Sequence, residues 1–304
     1  MAVRELYGGV EAGGTKFVCV VGSDPANVVD RRRIQTSSPQ DTLPRVTEFF
    51  APYVSSGRLR ALGIGSFGPV DLDRNSPEYG CITSTPKPGW QNTNIPAMLQ
   101  SSLHLNVAID TDVNAAALAE SLWGAGRGMD PLLYVTIGTG IGGGFIQNGR
   151  PLHGLSHPEM GHIRIAHDFR VDDFAGNCPF HGDCFEGLAN GPAIARRLGR
   201  SPETLSDDDP FWQIEAGYIG AAVATFVLVL APARVILGGG VMQRRFMLPM
   251  IRRSVLDSLN GYVRCAPLLE HIDDYIGQPQ LGNESGAFGA LALARQAATG
   301  NVLD

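Results

Sequence analysis

Two stretches of this chain share one plan, which is an apolar strand, a turn of Gly and Thr, and a second apolar strand. Residues 6–21 follow this plan near the start, with Gly13-Gly14-Thr15 in the turn. Residues 132–146 follow it again, with Gly138-Thr139-Gly140 in the turn. Apolar, β-branched runs joined by Gly and Thr are typical of hairpins. A plan that occurs twice predicts a chain built from two similar halves.

A second pair of strands, each ending in glycine, supports the duplication and indicates an insertion. Residues 62–65 form one of these strands and residues 235–238 form the other. They lie farther apart in the chain than the two Gly-Thr turns do. The difference between these two separations is close to the length of residues 152–191. We therefore predict that this segment is inserted into the second half.

Helical patterns separate these strands and complete the predicted architecture. Strands that alternate with helices favour mostly parallel, covered sheets, so the predicted fold class is α/β with two similar domains. A cleft between two such domains is a common ligand site. Apolar residues recur at helical spacing over residues 41–53, 114–123, 191–198, 211–230, 246–259 and 284–298. The predicted domains are residues 1–115, residues 116–283 with the inserted segment 152–191, and a final helix, 284–304, that packs back on the first domain.

The composition of the chain excludes several classes of protein. Its 304 residues are 44% hydrophobic and 18% charged, which describes a folded chain with a substantial core. The formal net charge of -6 and the lack of a long Lys/Arg run give no electrostatic case for nucleic acid. The amino terminus lacks the apolar segment of a signal peptide, and the longest apolar run, residues 219–231, is short for a bilayer span. We therefore expect a cytoplasmic protein without a membrane partner.

Cysteine and histidine cluster in one part of the inserted segment. Cys178, His181 and Cys184 follow one another closely, and His162 stands shortly upstream. Two thiols and two imidazoles form the ligand set of a closed, four-coordinate zinc site, whereas a catalytic zinc keeps one position open. We therefore predict a structural Zn²⁺, with unliganded buried thiols as the alternative. Other histidines that could compete for the metal are His153, His157 and His167.

The two Gly-Thr turns can offer backbone amides to a phosphate group, because glycine lets the backbone approach an anion closely. Neither turn matches a P-loop, and neither precedes a predicted helix. Taken singly, each turn is equally an ordinary hairpin, but as a pair they indicate a nucleoside triphosphate. The predicted ATP-binding residues in these turns are Gly13, Gly14, Thr15, Lys16, Gly138, Thr139 and Gly140.

An acidic side chain stands where an apolar strand gives way to an Ala-rich helix. Residues 107–109 form the strand, and Asp112 comes just before the helix. Asp112 could serve only as the helix N-cap. Phosphoryl transfer, however, needs a carboxylate that accepts the proton of the attacking hydroxyl and positions its oxygen. We predict that Asp112 is this general base.

Further polar residues flank the predicted metal ligands. Glu159 and Glu186 could accept hydrogen bonds from sugar hydroxyls, although each could equally be a surface group. His162 could bind zinc through one ring nitrogen and donate to a sugar through the other, since metal ligation fixes a histidine's orientation. We predict that Glu159, His162 and Glu186 bind sugar.

These motifs resemble those of the ROK sugar kinases, and most closely the bacterial fructokinase branch. The similarity spans roughly residues 8–294, and the zinc signature is its most specific part. Residues 9–16 resemble the family's first phosphate motif, and residues 111–117 resemble its catalytic-aspartate motif. Residues 159–162 with 178–186 resemble its sugar-and-zinc signature, and residues 236–243 resemble its nucleotide-binding turn.

The resemblance implies an actin-like ATPase (ribonuclease H-like) fold, Mg²⁺-ATP as the phosphoryl donor, and fructose converted to fructose 6-phosphate. Mannose, glucose or an N-acetylhexosamine stay open as alternative substrates, and relatives are often homodimers. ROK repressors carry a DNA-binding motif ahead of this region, and the start of the first phosphate motif at Gly9 leaves no room for one. The residues that the resemblance adds are Ser66, Gly68 and Asn114 for the sugar, and Pro192, Gly239, Gly240 and Gln243 for ATP.

Three residues depart from the pattern that the resemblance implies. Glu11 stands where many members have Asp, which could change how Mg²⁺ is held. Thr111 replaces a common Asn and removes an amide that often contacts sugar. His181 occupies the usual place of a cysteine ligand, so we expect somewhat weaker binding of a soft metal.

Overall fold

The structure is a computed structural model that describes residues 5–85 and 87–299. Predictions that concern residues 1–4, 86 and 300–304, including the end of the last predicted helix, lie outside the described residues. The described chain divides into two compact units. The first unit extends to Arg127 and includes Gly149–Pro158 and the chain from Asn283 onward, and the second consists of Gly128–Asn148 and Glu159–Gly282.

The helices and strands have the following bounds in the structure. The strands are β1 (Leu6–Ala12), β2 (Lys16–Gly22), β3 (Val28–Gln35), β4 (Leu59–Ser66), β5 (Cys81–Ile82), β6 (Thr93–Asn94), β7 (Asn106–Thr111), β8 (Leu132–Ile137), β9 (Ile141–Gln147), β10 (Arg150–Pro151), β11 (Arg234–Gly238) and β12 (Ile276–Gly277). The α-helices are α1 (Pro39–Ser55), α2 (Ile95–Leu103), α3 (Asp112–Trp123), α4 (Phe185–Ala189), α5 (Gly191–Leu198), α6 (Phe211–Leu230), α7 (Met247–Leu259), α8 (Ala266–Leu269), α9 (Ile272–Tyr275) and α10 (Ser285–Thr299).

The sheet of the first unit has the strand order β3-β2-β1-β4-β7. β1 pairs antiparallel with β2, and β2 with β3, whereas β1, β4 and β7 are parallel. The prediction of mostly parallel sheets is therefore wrong for this sheet, which is mixed. The cause is the tight turn between β1 and β2, because two strands joined by so short a turn can pair only antiparallel.

The second unit repeats this arrangement of a hairpin followed by parallel strands. β8 pairs antiparallel with β9 through the second Gly-Thr turn. β8, β11 and β12 are then parallel, which gives the order β9-β8-β11-β12. The duplication seen in the sequence is thus also present in the strand order, and the sheet is again mixed.

Helix α10 packs on β1, β4 and α3 of the first unit at very short range. Gly9 and Gly63 face the α10 backbone, where any side chain at either position would meet Ala287 or Ala290. Gly289 of α10 likewise faces the backbone of Ala115. Because α3 packs against α10, it lies in the first unit, which extends to Arg127.

Helix α6 is long and apolar enough, by length and composition alone, to cross a membrane. Its mean hydropathy over the most apolar window is 1.6, and 56% of that window is buried in the structure. Within the second unit α6 packs against α7 and α4. A core helix shows the same properties, so the helix carries no argument for a membrane span.

A buried ionic network connects α5 and α6 to the segment ahead of the predicted zinc ligands. The Arg197 guanidinium lies 3.2 Å from the carboxylate of Asp172 and 3.3 Å from that of Glu215. The Tyr218 hydroxyl donates to Asp172 over 2.7 Å. Burial raises the pKa of Glu215 to about 8, although Arg197 counteracts this effect. Arg197 is therefore the cation that two buried acidic side chains share inside the unit.

Replacement of this cation is expected to destabilise the protein strongly. Arg197→Met leaves Asp172 and Glu215 buried without their counter-charge, which we expect to lower the free energy of unfolding by about 3 kcal/mol or more. Arg196→Met on the exposed side of the same helix is the matched control and should change it by less than about 0.5 kcal/mol. Urea unfolding measures both, and equal losses in the two variants would contradict the assigned role of Arg197.

Candidate functional site

The first predicted phosphate turn is a hairpin turn that leaves two of its four residues exposed. The Gly13 amide donates to the Lys16 carbonyl over 3.1 Å, so this amide is used by the turn itself. Thr36, directly after β3, holds the turn in place. Its hydroxyl donates to the Gly13 carbonyl and its amide donates to the Thr15 carbonyl. Thr15 and Lys16 are exposed, and Gly14 has open space around it. Gly14, Thr15 and Lys16 are therefore the accessible members of this predicted set.

The second phosphate turn lies beside the other predicted ATP-binding residues of the second unit. The Gly191 amide, at the start of α5, donates to the Gly138 carbonyl over 2.7 Å. Pro192 follows in the first turn of α5 and is exposed, as are Thr139 and Gly140. The structure thus brings the turn and the start of α5 together.

The loop after β11 joins the same group of residues. Gly239 has a φ of 92°, in the region that favours glycine, and a side chain there would meet the backbone of Ile137 next to the turn. The Gly240 amide lies 3.7 Å from where a side chain on Gly138 would begin. Gln243 ends the short 3₁₀-helix that follows and is exposed. All predicted ATP-binding residues of the second unit except Gln243 are thereby placed around one turn.

Glu186 connects this turn to the predicted zinc segment. Its Oε2 atom accepts a hydrogen bond from the Ile141 amide over 2.8 Å, directly after the turn. Glu186 lies in α4, and Cys184 is the N-cap of that helix. The sequence assigns Glu186 to the sugar, but one of its two carboxylate oxygens braces the phosphate turn in this structure.

Asp112 lies in the first turn of α3, immediately after β7. The N-cap is Thr111, whose hydroxyl oxygen accepts a hydrogen bond from the Asn114 amide over 3.1 Å. The alternative that Asp112 is only the N-cap is therefore wrong. The Asp112 carboxylate is half-buried, and its Oδ1 accepts from the Val113 amide over 2.8 Å. This contact fixes a carboxylate at the mouth of the strand.

The sugar-binding residues predicted in the first unit are mostly tied to the protein. Ser66 is fully buried, and its hydroxyl donates to the Phe67 carbonyl over 2.8 Å. Asn114 is 1% exposed, and its amide nitrogen donates to Asp110. Gly68 is half-buried near the imidazole of His157, whose Nε2 accepts a hydrogen bond from the Val70 amide. Gly68 is therefore the most accessible of the three predicted residues.

The predicted metal ligands form one cluster with the spacing that zinc requires. The Nδ1 atom of His162 lies 3.8 Å from the Cys178 sulfur and 3.6 Å from the Cys184 sulfur. The Nδ1 atom of His181 lies 3.6 Å from the Cys178 sulfur, and all four donor atoms are within 4.8 Å of one another. Donors of a tetrahedral zinc site lie roughly 3.4–3.8 Å apart, given its Zn–S and Zn–N bond lengths. The residues present therefore fit a Zn²⁺ ion.

The charge of the Cys184 side chain depends on whether a metal ion is bound. Burial, together with the neighbouring Cys178, raises the pKa of the Cys184 thiol to about 11. A bound metal ion reverses this effect, because it stabilises the thiolate form of its ligands.

Glu159 precedes the short 3₁₀-helix that carries His162, and its side chain is exposed. The cluster thus holds the chain on both sides of it, at Glu159 and at Glu186.

The competing histidines lie elsewhere in the described residues. His157 contacts Val70, and His167 lies 3.3 Å from Asp183 and 3.0 Å from the Asp172 carbonyl. His153 lies 3.0 Å from the buried carboxylate of Asp110. The ligand set with His162 is therefore the only one of the predicted alternatives that the structure assembles.

Glu11, which departs from the family pattern, lies in β1 close to α10. Its carboxyl carbon is 2.7 Å from where a side chain on Gly286 would begin. Burial raises the pKa of Glu11, and the neighbouring Lys16 and Arg33 oppose this effect. The longer glutamate is accommodated here because residue 286 has no side chain.

Two residues near the predicted base are not identified by the sequence motifs. Asp110 is completely buried at the end of β7, and His153 reaches it from a distant part of the chain. The only sequence signal for Asp110 is a second acidic residue two positions before Asp112. The sequence indicates His153 only as a competing metal ligand, and no local pattern pairs it with Asp110, because the two residues lie far apart in the sequence.

Both sheets, with their hairpin turns and the helix that follows β7, define an α/β fold of the actin-like ATPase class. The model of the ROK family matches residues 7–297, so the chain belongs to the ROK family, as the resemblance implies. It is 43% identical over 289 residues to the fructokinase of Lactococcus lactis subsp. cremoris, covering 95% of this chain and 96% of that protein. It is 42% identical over 292 residues to the fructokinase of Pediococcus pentosaceus, covering 96% and 98%.

A solved structure supports the same fold. The ROK family glucokinase from Streptomyces griseus, in complex with glucose and AMPPNP, superposes with a TM-score of 0.74 at 26% identity. The match covers 96% of this chain and 99% of that chain. The predicted fold class is therefore confirmed.

Proposed function

We propose that this protein is an ATP-dependent fructokinase that converts D-fructose to fructose 6-phosphate. The similarity to fructokinases over nearly the whole chain is the observation that carries this function. The arrangement around Asp112 supports it, because Thr111 and not Asp112 is the N-cap of α3, and the half-buried Asp112 carboxylate lies directly after β7.

Asp112 is the proposed general base. Its carboxylate accepts the proton of the attacking fructose hydroxyl while that oxygen forms a bond to the γ-phosphorus of ATP. The bond between this phosphorus and the bridging oxygen breaks, and ADP leaves with the electron pair. The Val113 amide holds Oδ1 of Asp112 and fixes the orientation of the carboxylate for this transfer. ATP is proposed to bind as its Mg²⁺ complex, in which the metal ion neutralises phosphate charge.

The backbone amides of both Gly-Thr turns are proposed to bind the phosphates of ATP. In the first turn the proposed residues are the half-buried Gly14 with the exposed Thr15 and Lys16, and in the second turn they are the exposed Thr139 and Gly140. A proposed adenine-nucleotide site in the second unit adds the neighbouring residues Gly138, Pro192, Gly239, Gly240 and Gln243. The placement of these residues around one turn supports the group, except for Gln243, which ends the short helix that follows.

The fructose hydroxyls are proposed to bind Glu159, His162 and Glu186, together with Gly68, Ser66 and Asn114. His162 turns Nδ1 towards the thiols, so Nε2 is the ring nitrogen proposed for the sugar. A Zn²⁺ ion held by His162, Cys178, His181 and Cys184 is proposed to fix this orientation and that of the two flanking glutamates. Its role in this proposal is structural.

The remaining proposals concern organisation and location. We infer a homodimer in the cytoplasm, without nucleic acid or membrane as a partner, from the resemblance and from the charge and composition of the chain. The division into domains 1–115 and 116–283, with a cleft between them and the segment 152–191 inserted in the second, stays a prediction.

Fructose is expected to be the preferred hexose. We expect kcat/KM for fructose to exceed the values for glucose, mannose and N-acetylhexosamines by about tenfold or more, because a site that hydrogen-bonds specific hydroxyls rejects sugars that misplace them. A coupled assay of ADP formation with this panel measures the preference. A higher kcat/KM for any other hexose would assign the enzyme to that sugar.

A further inference from the structure

A buried carboxylate and an exposed imidazole form a pair beside the proposed base. Asp110, at the end of β7, is 0% exposed, and His153 Nε2 lies 3.0 Å from its Oδ2 atom. The other oxygen of Asp110 accepts hydrogen bonds from the amides of Thr111 and Asn114, each over 2.7 Å. The Oδ1 atom of Asp110 is therefore satisfied by its neighbours in the chain, whereas the buried Oδ2 accepts no hydrogen bond among the described residues and faces His153 from another part of the chain.

The close approach to Asp110 determines the direction of the His153 ring. The ring turns Nε2 towards the buried Asp110 carboxylate and the side-chain amide of Asn114. Nε2 is the nitrogen that faces Asp110, so Nδ1 points the other way. Among the described residues Nδ1 has no hydrogen-bond partner, and the side chain is 33% exposed. His153 thus presents one oriented nitrogen to solvent.

The position of His153 relates it to the proposed sugar site. Its Nε2 atom lies 3.5 Å from the amide nitrogen of Asn114, which is one of the proposed sugar-binding residues. Asn114 itself is 1% exposed and is already engaged with Asp110. At this end of β7 the accessible polar atom is consequently that of His153 and not that of Asn114.

A second contact holds the segment that carries His153. His157, four residues further on, is buried and accepts a hydrogen bond from the Val70 amide, next to the Gly68 segment. His153 and His157 therefore attach their segment to two elements that both carry proposed sugar-binding residues. Between these histidines, Gly154, Leu155 and Ser156 are exposed.

We propose that His153 binds a fructose hydroxyl through Nδ1 and contributes to sugar specificity, and that Asp110 is the positioning residue that orients its ring. The proposal rests on the kinase function proposed above and adds a residue to its sugar site. The neighbouring Asp110 carboxylate raises the pKa of the His153 imidazole, whereas burial and Arg74 oppose this rise. Tyr79 is a further titratable group near Asp110.

Two substitutions separate binding of a hydroxyl from a merely structural role. His153→Gln places an amide nitrogen where Nε2 stood, so it keeps the contact to Asp110 but has no polar atom at the Nδ1 position. His153→Leu removes both. We expect each variant to raise the KM for fructose about tenfold, as loss of one hydrogen bond in a desolvated site does, with kcat and the KM for ATP within about threefold. His271→Gln, at an exposed histidine of the second unit, is the matched control and should leave all constants unchanged.

Monodeoxy-fructoses identify the hydroxyl that is bound. The wild type should discriminate about tenfold against the analogue that lacks this hydroxyl, and His153→Gln should lose the discrimination for that analogue only. The proposal would be overturned if His153→Gln had the same KM for fructose as the wild type. It would also be overturned if the two proteins discriminated equally against every analogue. If His153→Leu does not fold, His153→Gln and the analogues still decide it. A wild type that phosphorylates no hexose would instead overturn the proposed function.

Discussion

Asp112→Asn is expected to lower kcat for fructose phosphorylation by about 10³-fold or more, because a general base contributes 10²–10⁴-fold and this carboxylate also positions the nucleophile. The substitution is close to isosteric. The amide oxygen of Asn can still accept from the Val113 amide, and Thr111 still caps α3. Binding of fructose and of ATP, measured by calorimetry, should therefore stay within about threefold of the wild type.

The control for this prediction is an aspartate in the same structural setting. Asp41 lies in the first turn of α1, is exposed and contacts the N-cap residue Ser38. Asp41→Asn is expected to leave kcat unchanged. Turnover of Asp112→Asn within tenfold of the wild type would show that another group accepts the proton.

Loss of the metal cluster is expected to have the second largest effect. Cys184→Ser removes one thiol of the proposed Zn²⁺ site, and we expect it to abolish bound zinc and to lower the free energy of unfolding by about 4 kcal/mol, since loss of a structural metal is among the most damaging changes. The same variant should raise the KM for fructose. The physical reason is that the cluster fixes the chain next to Glu159 and Glu186.

The structure adds an effect on the nucleotide to this prediction. Cys184 occupies the N-cap position of α4, Glu186 of that helix accepts a hydrogen bond from the Ile141 amide, and the Gly191 amide donates to the Gly138 carbonyl. Disorder that begins at the metal therefore reaches the second phosphate turn, and the KM for ATP should rise as well. Elemental analysis, urea unfolding and both KM values measure this.

Cys265→Ser is the matched control, because Cys265 is an exposed thiol outside the cluster. It should retain the zinc content and the stability of the wild type. A wild-type protein that contains no metal, or a Cys184→Ser protein as stable as the Cys265→Ser protein, would contradict the structural role of zinc.

The parts of the fold that the sequence predicts well have strong local patterns. The prediction for residues 132–137 agrees with β8, and the predictions for residues 191–198 and 211–230 agree with α5 and α6, to the residue. Apolar strands bounded by Gly-Thr turns and helices bounded by Gly or Pro leave little choice of boundaries. The duplicated plan then indicated the α/β class.

β3 was not predicted, because its sequence does not look like a strand. It contains Asp30 and the three arginines 31–33, and it is the edge strand of its sheet. Charged side chains are common on edge strands because they discourage pairing with other chains. Here they have partners in the first unit, since Arg31 pairs with Glu284 and Arg32 lies near Glu48. The pairing that defines β3 comes from β2 and not from a local pattern.

The candidate site shows the same contrast between residues that a local pattern predicts and residues that only the folded chain brings together. Cys178, His181 and Cys184 are neighbours in the sequence, so their spacing alone predicted the cluster that the structure assembles. The pair of Asp110 and His153 depends on the folding of the whole first unit, and no spacing rule relates two residues so far apart. The sequence likewise does not decide which residue caps α3. The hydrogen bond from the Asn114 amide to the Thr111 hydroxyl oxygen identifies Thr111 as the N-cap.

The most direct test of the proposed function is the identity of the product. Phosphorus NMR of the wild-type protein with ATP, Mg²⁺ and fructose should show the γ-phosphate resonance replaced by that of fructose 6-phosphate, with an equal amount of ADP. In Asp112→Asn this resonance should be absent over the same period. Inorganic phosphate without a sugar ester, or an ester on another carbon of fructose, would contradict the assignment of this chain as a fructokinase that uses Asp112 as its base.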